Sequence, residues 1–197
     1  MPHTFIFIGR SGCGKGTQAE LLMEHIKNFE ENPQEVLYVE TGRKFRDFIE
    51  GTSFSSRQAR KVMERSDRQP DFLAVRMWSE VLTDNLSGSE HIIFDGTPRS
   101  MPEAEMLDTA MKFYNRGLVR VVHIDVSRTW SEARLKSRGR KDDKSLSDIE
   151  KRLDWFDDDV EPAIRYYDEN KDYKYIKVNG ERPINEVNEN IIRSLDL

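Results

Sequence analysis

The chain has 197 residues, a formal net charge of −5, 34% charged and 37% hydrophobic residues, and a single cysteine. Its length suits one domain with a sizeable core. The lone thiol excludes an internal disulfide and a multi-cysteine zinc site, and the mild acidity argues against a nucleic-acid polymer or a membrane surface as partner.

No apolar stretch approaches the roughly 18 residues that span a bilayer, and the first residues lack the basic and apolar regions of a signal peptide. The expected compartment is therefore the cytoplasm and, with so polar a surface, the expected state is a monomer. Internal repeats, low-complexity tracts and interdomain linkers are absent from the sequence.

The first predicted element is a strand over Phe5–Ile8, followed directly by Gly9-Arg10-Ser11-Gly12-Cys13-Gly14-Lys15-Gly16-Thr17-Gln18 and a helical pattern. Strand, glycine-rich turn, lysine and helix are the parts of a phosphate-binding loop. The glycines let backbone N–H groups close around a polyphosphate, Lys15 reaches its outer phosphates, and the helix N-terminus faces the same anion. In the general pattern a hydroxyl for Mg²⁺ follows the lysine; here Gly16 intervenes before Thr17. Cys13, set among these amides, reads either as a partly activated thiol or, more simply, as a small residue filling a small space.

A second strand is predicted at Val36–Val39, and residues 43–71 read as a polar helical insertion punctuated by Gly51-Thr52-Ser53 and Gln69-Pro70-Asp71. The third strand, Ile92–Phe94, leads into Asp95-Gly96-Thr97-Pro98-Arg99. An acidic residue at a strand's carboxyl end can orient a water-bound Mg²⁺ beside the phosphate loop, and the turn can aim Arg99 back at an anion.

After a fourth strand at Leu118–Ile124 comes a cluster of arginines. Arg134, Arg138 and Arg140 surround a short charged insertion, residues 137–148, and Arg152 lies on the next helix. Guanidinium forks match phosphate oxygens, and Asp142 and Asp143 stand ready to hold them. A fifth strand at Tyr175–Val178 and a closing helix around Pro183–Leu195 complete the pattern. Short continuous apolar runs separated by helices predict an α/β fold, a doubly wound parallel sheet of five strands with helices on both faces and two mobile insertions.

None of the four histidines falls in these motifs. If the acceptor of a phosphoryl group is itself a phosphate, its oxygen is already ionised and needs no general base. Catalysis then rests on positioning and charge neutralisation.

With these residues in this order, the chain resembles the adenylate kinase family of nucleoside monophosphate kinases, in its short-lid form, over nearly its whole length. The match runs from Gly9–Gln18 through Thr41-Gly42 with Arg46, Asp95–Arg99, Arg134–Arg140 with Asp142-Asp143 and Lys151-Arg152-Leu153 to Val178-Asn179-Gly180 with Pro183. Gly16 after the lysine is usual in that family.

The resemblance implies reversible phosphoryl transfer from Mg·ATP to a nucleoside monophosphate. By it, Gly12, Cys13, Gly14, Lys15, Gly16 and Thr17 hold the ATP phosphates, Arg134 lies near the ATP adenine, and Asp95 orients Mg²⁺ through water. Thr41, Gly42, Arg46, Gly96 and Arg99 bind the monophosphate, with Arg46 and Arg99 clamping its phosphate. Arg138, Arg140 and Arg152 neutralise the transferring group, the last two also touching the monophosphate.

Three positions depart from the family's pattern: Arg43 after Thr41-Gly42, Thr97 in place of an aromatic residue, and Glu103 in place of a base-reading glutamine. Thr41 favours AMP, whereas Glu103 in contact with the base leaves a guanine acceptor in view. A UMP/CMP kinase or a slowly hydrolysing nucleotide switch would also carry a phosphate loop of this kind. Arg46 with Arg99 weighs against the switch, which needs no second anion clamp.

Overall fold

The computed structural model describes residues 2–29, 34–139 and 145–196. Its centre is a five-stranded sheet in the order β2-β3-β1-β4-β5, in which every neighbouring pair is parallel. The strands are β1 (Thr4–Ile8), β2 (Val36–Glu40), β3 (His91–Asp95), β4 (Val119–Asp125) and β5 (Tyr173–Asn179). Each contains most or all of its predicted apolar run.

The sequence of β1 shows why its own run is uninterrupted. Successive side chains of a strand point to opposite faces, and here both faces are covered. Ile6 and Ile8 pack with Trp78, Leu82 and Leu107, while Phe5 and Phe7 pack with Leu22, Ile26 and Ile191. All four strand residues are buried, so no polar position interrupts the run.

The helices are α1 (Lys15–Phe29), α2 (Thr41–Ile49), α3 (Phe54–Glu64), α4 (Asp71–Asn85), α5 (Met101–Phe113), α6 (Arg128–Arg138), α7 (Leu146–Trp155), α8 (Glu161–Glu169) and α9 (Ile184–Leu195). A π-helical turn, Phe156–Val160, joins α7 to α8. The core beneath α1 and α9 includes Val187, Ile191 and Leu195, so the closing helix packs back on the sheet as its sequence predicts.

Two smaller apolar clusters stand apart from the main core. Phe45 and Ala59, from α2 and α3, pack with Leu73, Ala74 and Met77 of α4. Leu135 of α6 packs with Ile149 and Leu153 of α7.

The polar stretch from 43 to 71 resolves into α2, which already begins at Thr41, and α3, capped where the Ser53 hydroxyl accepts from the Ser56 amide. The stretch from 137 to 148 is less loop-like than its charge suggests at its described ends. Helix α6 runs to Arg138, and Ser145 caps α7 by accepting from the Asp148 amide. No helix among the described residues is long and apolar enough to cross a membrane.

Candidate functional site

The strand order puts β1 in the middle, with β3 on one side and β4 on the other. Ligands of such sheets gather at the strands' carboxyl ends, where the register pairs Phe7 with Asp95. The turn after β1 thus lies beside the acidic end of β3. A cleft of about 710 Å³ opens there, in the upper part of the range for small-molecule sites, about 300–1,000 Å³.

Gly12, Gly14, Lys15, Gly16 and Thr17 line its floor. The Lys15 ammonium donates to the carbonyls of Gly9 at 2.7 Å and Arg10 at 2.9 Å. Cys13 is buried with the sheet core, and burial pushes its thiol pKa up despite Lys15 nearby. Its side chain is a space-filler, not an activated thiol. The loop is anchored from outside by the Ser131 hydroxyl, which donates to the Ser11 carbonyl, and by Arg10, which lies 4.4 Å over the Phe156 ring and pairs with Asp157.

Asp95 lines the same cleft and accepts a hydrogen bond from the Tyr38 hydroxyl at 3.0 Å. Burial and the adjacent carboxylate raise the pKa of this phenol, which keeps it a donor. The break in the general loop pattern has a steric reason: a Cβ on Gly16 would stand 3.2 Å from Asp95 Oδ2. Glycine lets the start of α1 approach that carboxylate.

A second cationic group faces the floor. Arg46 and Arg99 converge on Gly42, where a Cβ would lie 3.4 Å from Arg46 Nη1 and 3.5 Å from Arg99 Nη2. Arg46 pairs with Glu40 at 2.7 Å, and Arg99 Nε donates to the Gly96 carbonyl at 2.7 Å. Burial lowers the pKa of Arg99, Glu103 and Asp95 oppose this, and Arg152 and Arg46 lower it further. An arginine keeps its charge even so. Three guanidiniums sharing one half-buried space make a site for a multiply charged anion.

Gly42, Arg46, Gly96, Arg99, Arg134, Arg138 and Arg152 all border the cleft. The Arg134 guanidinium sits 5.1 Å from the centre of the Trp130 ring. No histidine lines the cleft among the described residues. His123 is buried, its hydrogen bond with the Tyr175 hydroxyl spans 2.7 Å, and burial pushes its pKa down to about 4.

Three sequence candidates lie off the cleft wall: Cys13, buried with the sheet core, Thr41 and Glu103. Thr41 is buried and exchanges a hydrogen bond with Thr97. Glu103 is wholly buried in the first turn of α5, accepting from the Arg99 backbone amide at 2.6 Å. Arg140, with Asp142 and Asp143, lies outside the described residues.

The structure adds residues that the sequence motifs do not single out. Tyr38 holds Asp95, and Trp155 and Gln69 border the cleft. Arg68 also borders it and pairs with Asp71 at 2.5 Å and Asp159 at 3.0 Å, tying the start of α4 to the π-helical turn. Arg68 and Asp159 are 91 residues apart, so no local pattern pairs them. The Ser100-x-x-Glu103 spacing, by contrast, is a readable helix-start signal.

Residues 7–172 match the family model described as Adenylate kinase. That span contains the phosphate loop, the Asp95–Arg99 turn and all the cleft arginines. The chain belongs to the adenylate kinase family.

Among its relatives, Adenylate kinase 1 of Nostoc sp. PCC 7120 is 31% identical, with 92% of each chain covered. An adenylate kinase of Azobacteroides pseudotrichonymphae is 30% identical over 95% of this chain and 94% of its own. One of Thermus thermophilus is 33% identical over 83% of this chain and 82% of its own. This kinase is thus a nucleoside monophosphate kinase, a nucleotide-binding transferase that moves phosphoryl groups between nucleotides.

Proposed function

We propose that this kinase transfers the γ-phosphoryl group of Mg·ATP to AMP, reversibly, forming two molecules of ADP. The observation that carries the reading is the pair of cationic centres facing one cleft: Lys15 and the loop amides on one side, Arg46, Arg99 and Arg152 on the other. One centre suffices to bind a nucleotide, whereas two are what a donor and an acceptor phosphate require. AMP as acceptor is supported by the relatives, which are named adenylate kinases.

In this reading the loop Gly12–Thr17 with Lys15 holds the donor's phosphates, and Arg134 lies beside its adenine. Gly42 and Gly96 leave room for the acceptor phosphate, which Arg46 and Arg99 grip. An oxygen of that phosphate, ionised at neutral pH, attacks the γ-phosphorus as the bond to the β,γ-bridging oxygen breaks. Arg138, Arg140 and Arg152 meet the charge as it spreads over the transferring group.

Asp95 fits Mg²⁺. It is a carboxylate, steadied by Tyr38, at the edge of the phosphate loop. No group of three or more acidic, histidine or cysteine side chains forms a metal cage among the described residues, and Mg²⁺ is commonly held by one or two carboxylates, waters and substrate phosphates. Bound there, the ion would neutralise charge on the donor's phosphates.

Residues 43–71 and 137–148 act as covers that exclude water once both substrates are bound. Supporting this, Phe45 and Ala59 of the first pack on α4 in a small apolar cluster apart from the main core, and another, Leu135 with Ile149 and Leu153, flanks the second.

A coupled assay with AMP, GMP, CMP and UMP as acceptors tests the proposal. Efficiency with AMP should exceed that with each of the others by about tenfold or more, the scale of one well-placed polar contact in a specificity pocket. Preference for another base would refute AMP, and slow hydrolysis with no acceptor activity would refute the two-substrate reading.

A further inference from the structure

Helix α5 begins with Ser100-Met101-Pro102-Glu103, the spacing of a capping box. Half of the box is ordinary, since the Ser100 hydroxyl accepts from the Glu103 amide at 3.2 Å. The other half is displaced. In the usual box the carboxylate returns to the backbone N–H of the cap residue, whereas Glu103 Oε2 reaches one residue further back and accepts from the backbone N–H of Arg99 at 2.6 Å.

Arg99 is thereby held twice, by its main chain to Glu103 and by its side chain to the Gly96 carbonyl at 2.7 Å. The same short segment is secured a third way, because the Ser100 hydroxyl donates to Asp71 at 2.6 Å. Glu103 itself has no exposed surface and is not part of the cleft wall. Its second oxygen, Oε1, is buried without a hydrogen-bond partner.

A carboxylate so enclosed has no face to offer a base, yet it is one hydrogen bond from the main chain of a clamp arginine. We propose that Glu103 is a positioning residue: it sets the acceptor clamp through the backbone of Arg99 and does not read the acceptor's base. The proposal rests on the reading of Arg99 as part of the acceptor site.

Two variants separate these roles. Glu103→Gln keeps an oxygen able to accept from the Arg99 amide, and Glu103→Leu removes it. In Glu103→Leu the KM for AMP should rise about tenfold, the scale of one hydrogen bond to a charged group, with kcat and the KM for ATP little changed. Glu103→Gln should bring KM back to within about threefold of the wild type, and the ratio of AMP to GMP efficiency should be the same in all three proteins.

A ratio shifted tenfold by Glu103→Gln would mean that the side chain touches the base and would overturn the proposal. So would a folded Glu103→Leu protein with unaltered KM. If Glu103→Leu does not fold, Glu103→Asp is judged by the same criteria, since its shorter side chain draws the carboxylate back from the Arg99 amide. Wild-type protein assayed alongside keeps the two ideas distinct. Failure to phosphorylate any monophosphate would overturn the acceptor reading and this proposal with it, while an active wild type with the wrong variant pattern overturns this proposal alone.

Discussion

Replacing Gly96 with alanine tests the acceptor clamp without removing any charge. Gly96 has φ +75°, and a Cβ there would lie 2.9 Å from Arg99 Nη2. The left-handed backbone costs an alanine about 1–2 kcal/mol, which should appear as lost folding stability. The contact is a separate effect, because it must be relieved by moving the guanidinium away from the Gly96 carbonyl, which Arg99 Nε now contacts at 2.7 Å. A hydrogen bond involving a charged group contributes about 1.5–3 kcal/mol. Losing the orientation it provides should raise the KM for the monophosphate about tenfold or more, at about 1.4 kcal/mol per factor of ten.

The KM for ATP should change little, since Lys15 and its loop are untouched. Urea unfolding measures the first quantity, and initial rates with each substrate varied in turn measure the second. A folded Gly96→Ala protein with a normal acceptor KM would show that the position of Arg99 beside Gly96 has no part in acceptor binding.

Three further outcomes follow from other parts of the molecule. Lys15→Met should lower kcat by about two to three orders of magnitude, the scale of losing one preorganised electrostatic contact; near-normal turnover in a folded variant would remove the phosphate loop from catalysis. Asp95→Asn should raise the Mg²⁺ concentration needed for half-maximal activity by about 10–100-fold, as weakened support of a metal site does, and an unchanged titration would count against Asp95 as the metal's partner. His123, held down to about 4 by burial, should make stability fall as pH drops. The unfolded chain takes up a proton near pH 6.5 while the folded one resists until about pH 4, a difference of about 3 kcal/mol by the latter pH. His123→Gln, which keeps a polar partner for Tyr175, should lack this loss; parallel stability curves for the two proteins between about pH 7 and 4 would refute the assignment.

Much of this architecture is written locally in the chain. The central strands β1 and β3 are built on runs of adjacent buried apolar residues, because both faces of the sheet are covered there, whereas β4 and β5 carry Arg120, His123, Lys174 and Lys177 among their apolar residues. The phosphate loop is equally local. Its amides, its lysine and the start of α1 lie within ten consecutive residues, so Gly9–Gln18 by itself identifies the chemistry. The same holds for Asp95–Arg99, where the strand end and the turn are contiguous.

What folding alone decided is which distant groups meet. Arg46, Arg99 and Arg152 come from α2, the turn after β3 and α7; their separate neighbourhoods do not say that they share one space, and in the sequence only the family resemblance brings them together. Arg68 finds Asp159 and Arg10 finds Phe156 in the same way. Glu103 is the sharpest instance. Its place in the chain suggests a base contact, and the structure shows its carboxylate off the cleft wall, accepting from the Arg99 amide. Periodicity reports which face of an element is buried, whereas the direction of one buried polar side chain depends on the hydrogen-bond partners that the completed packing leaves within its reach.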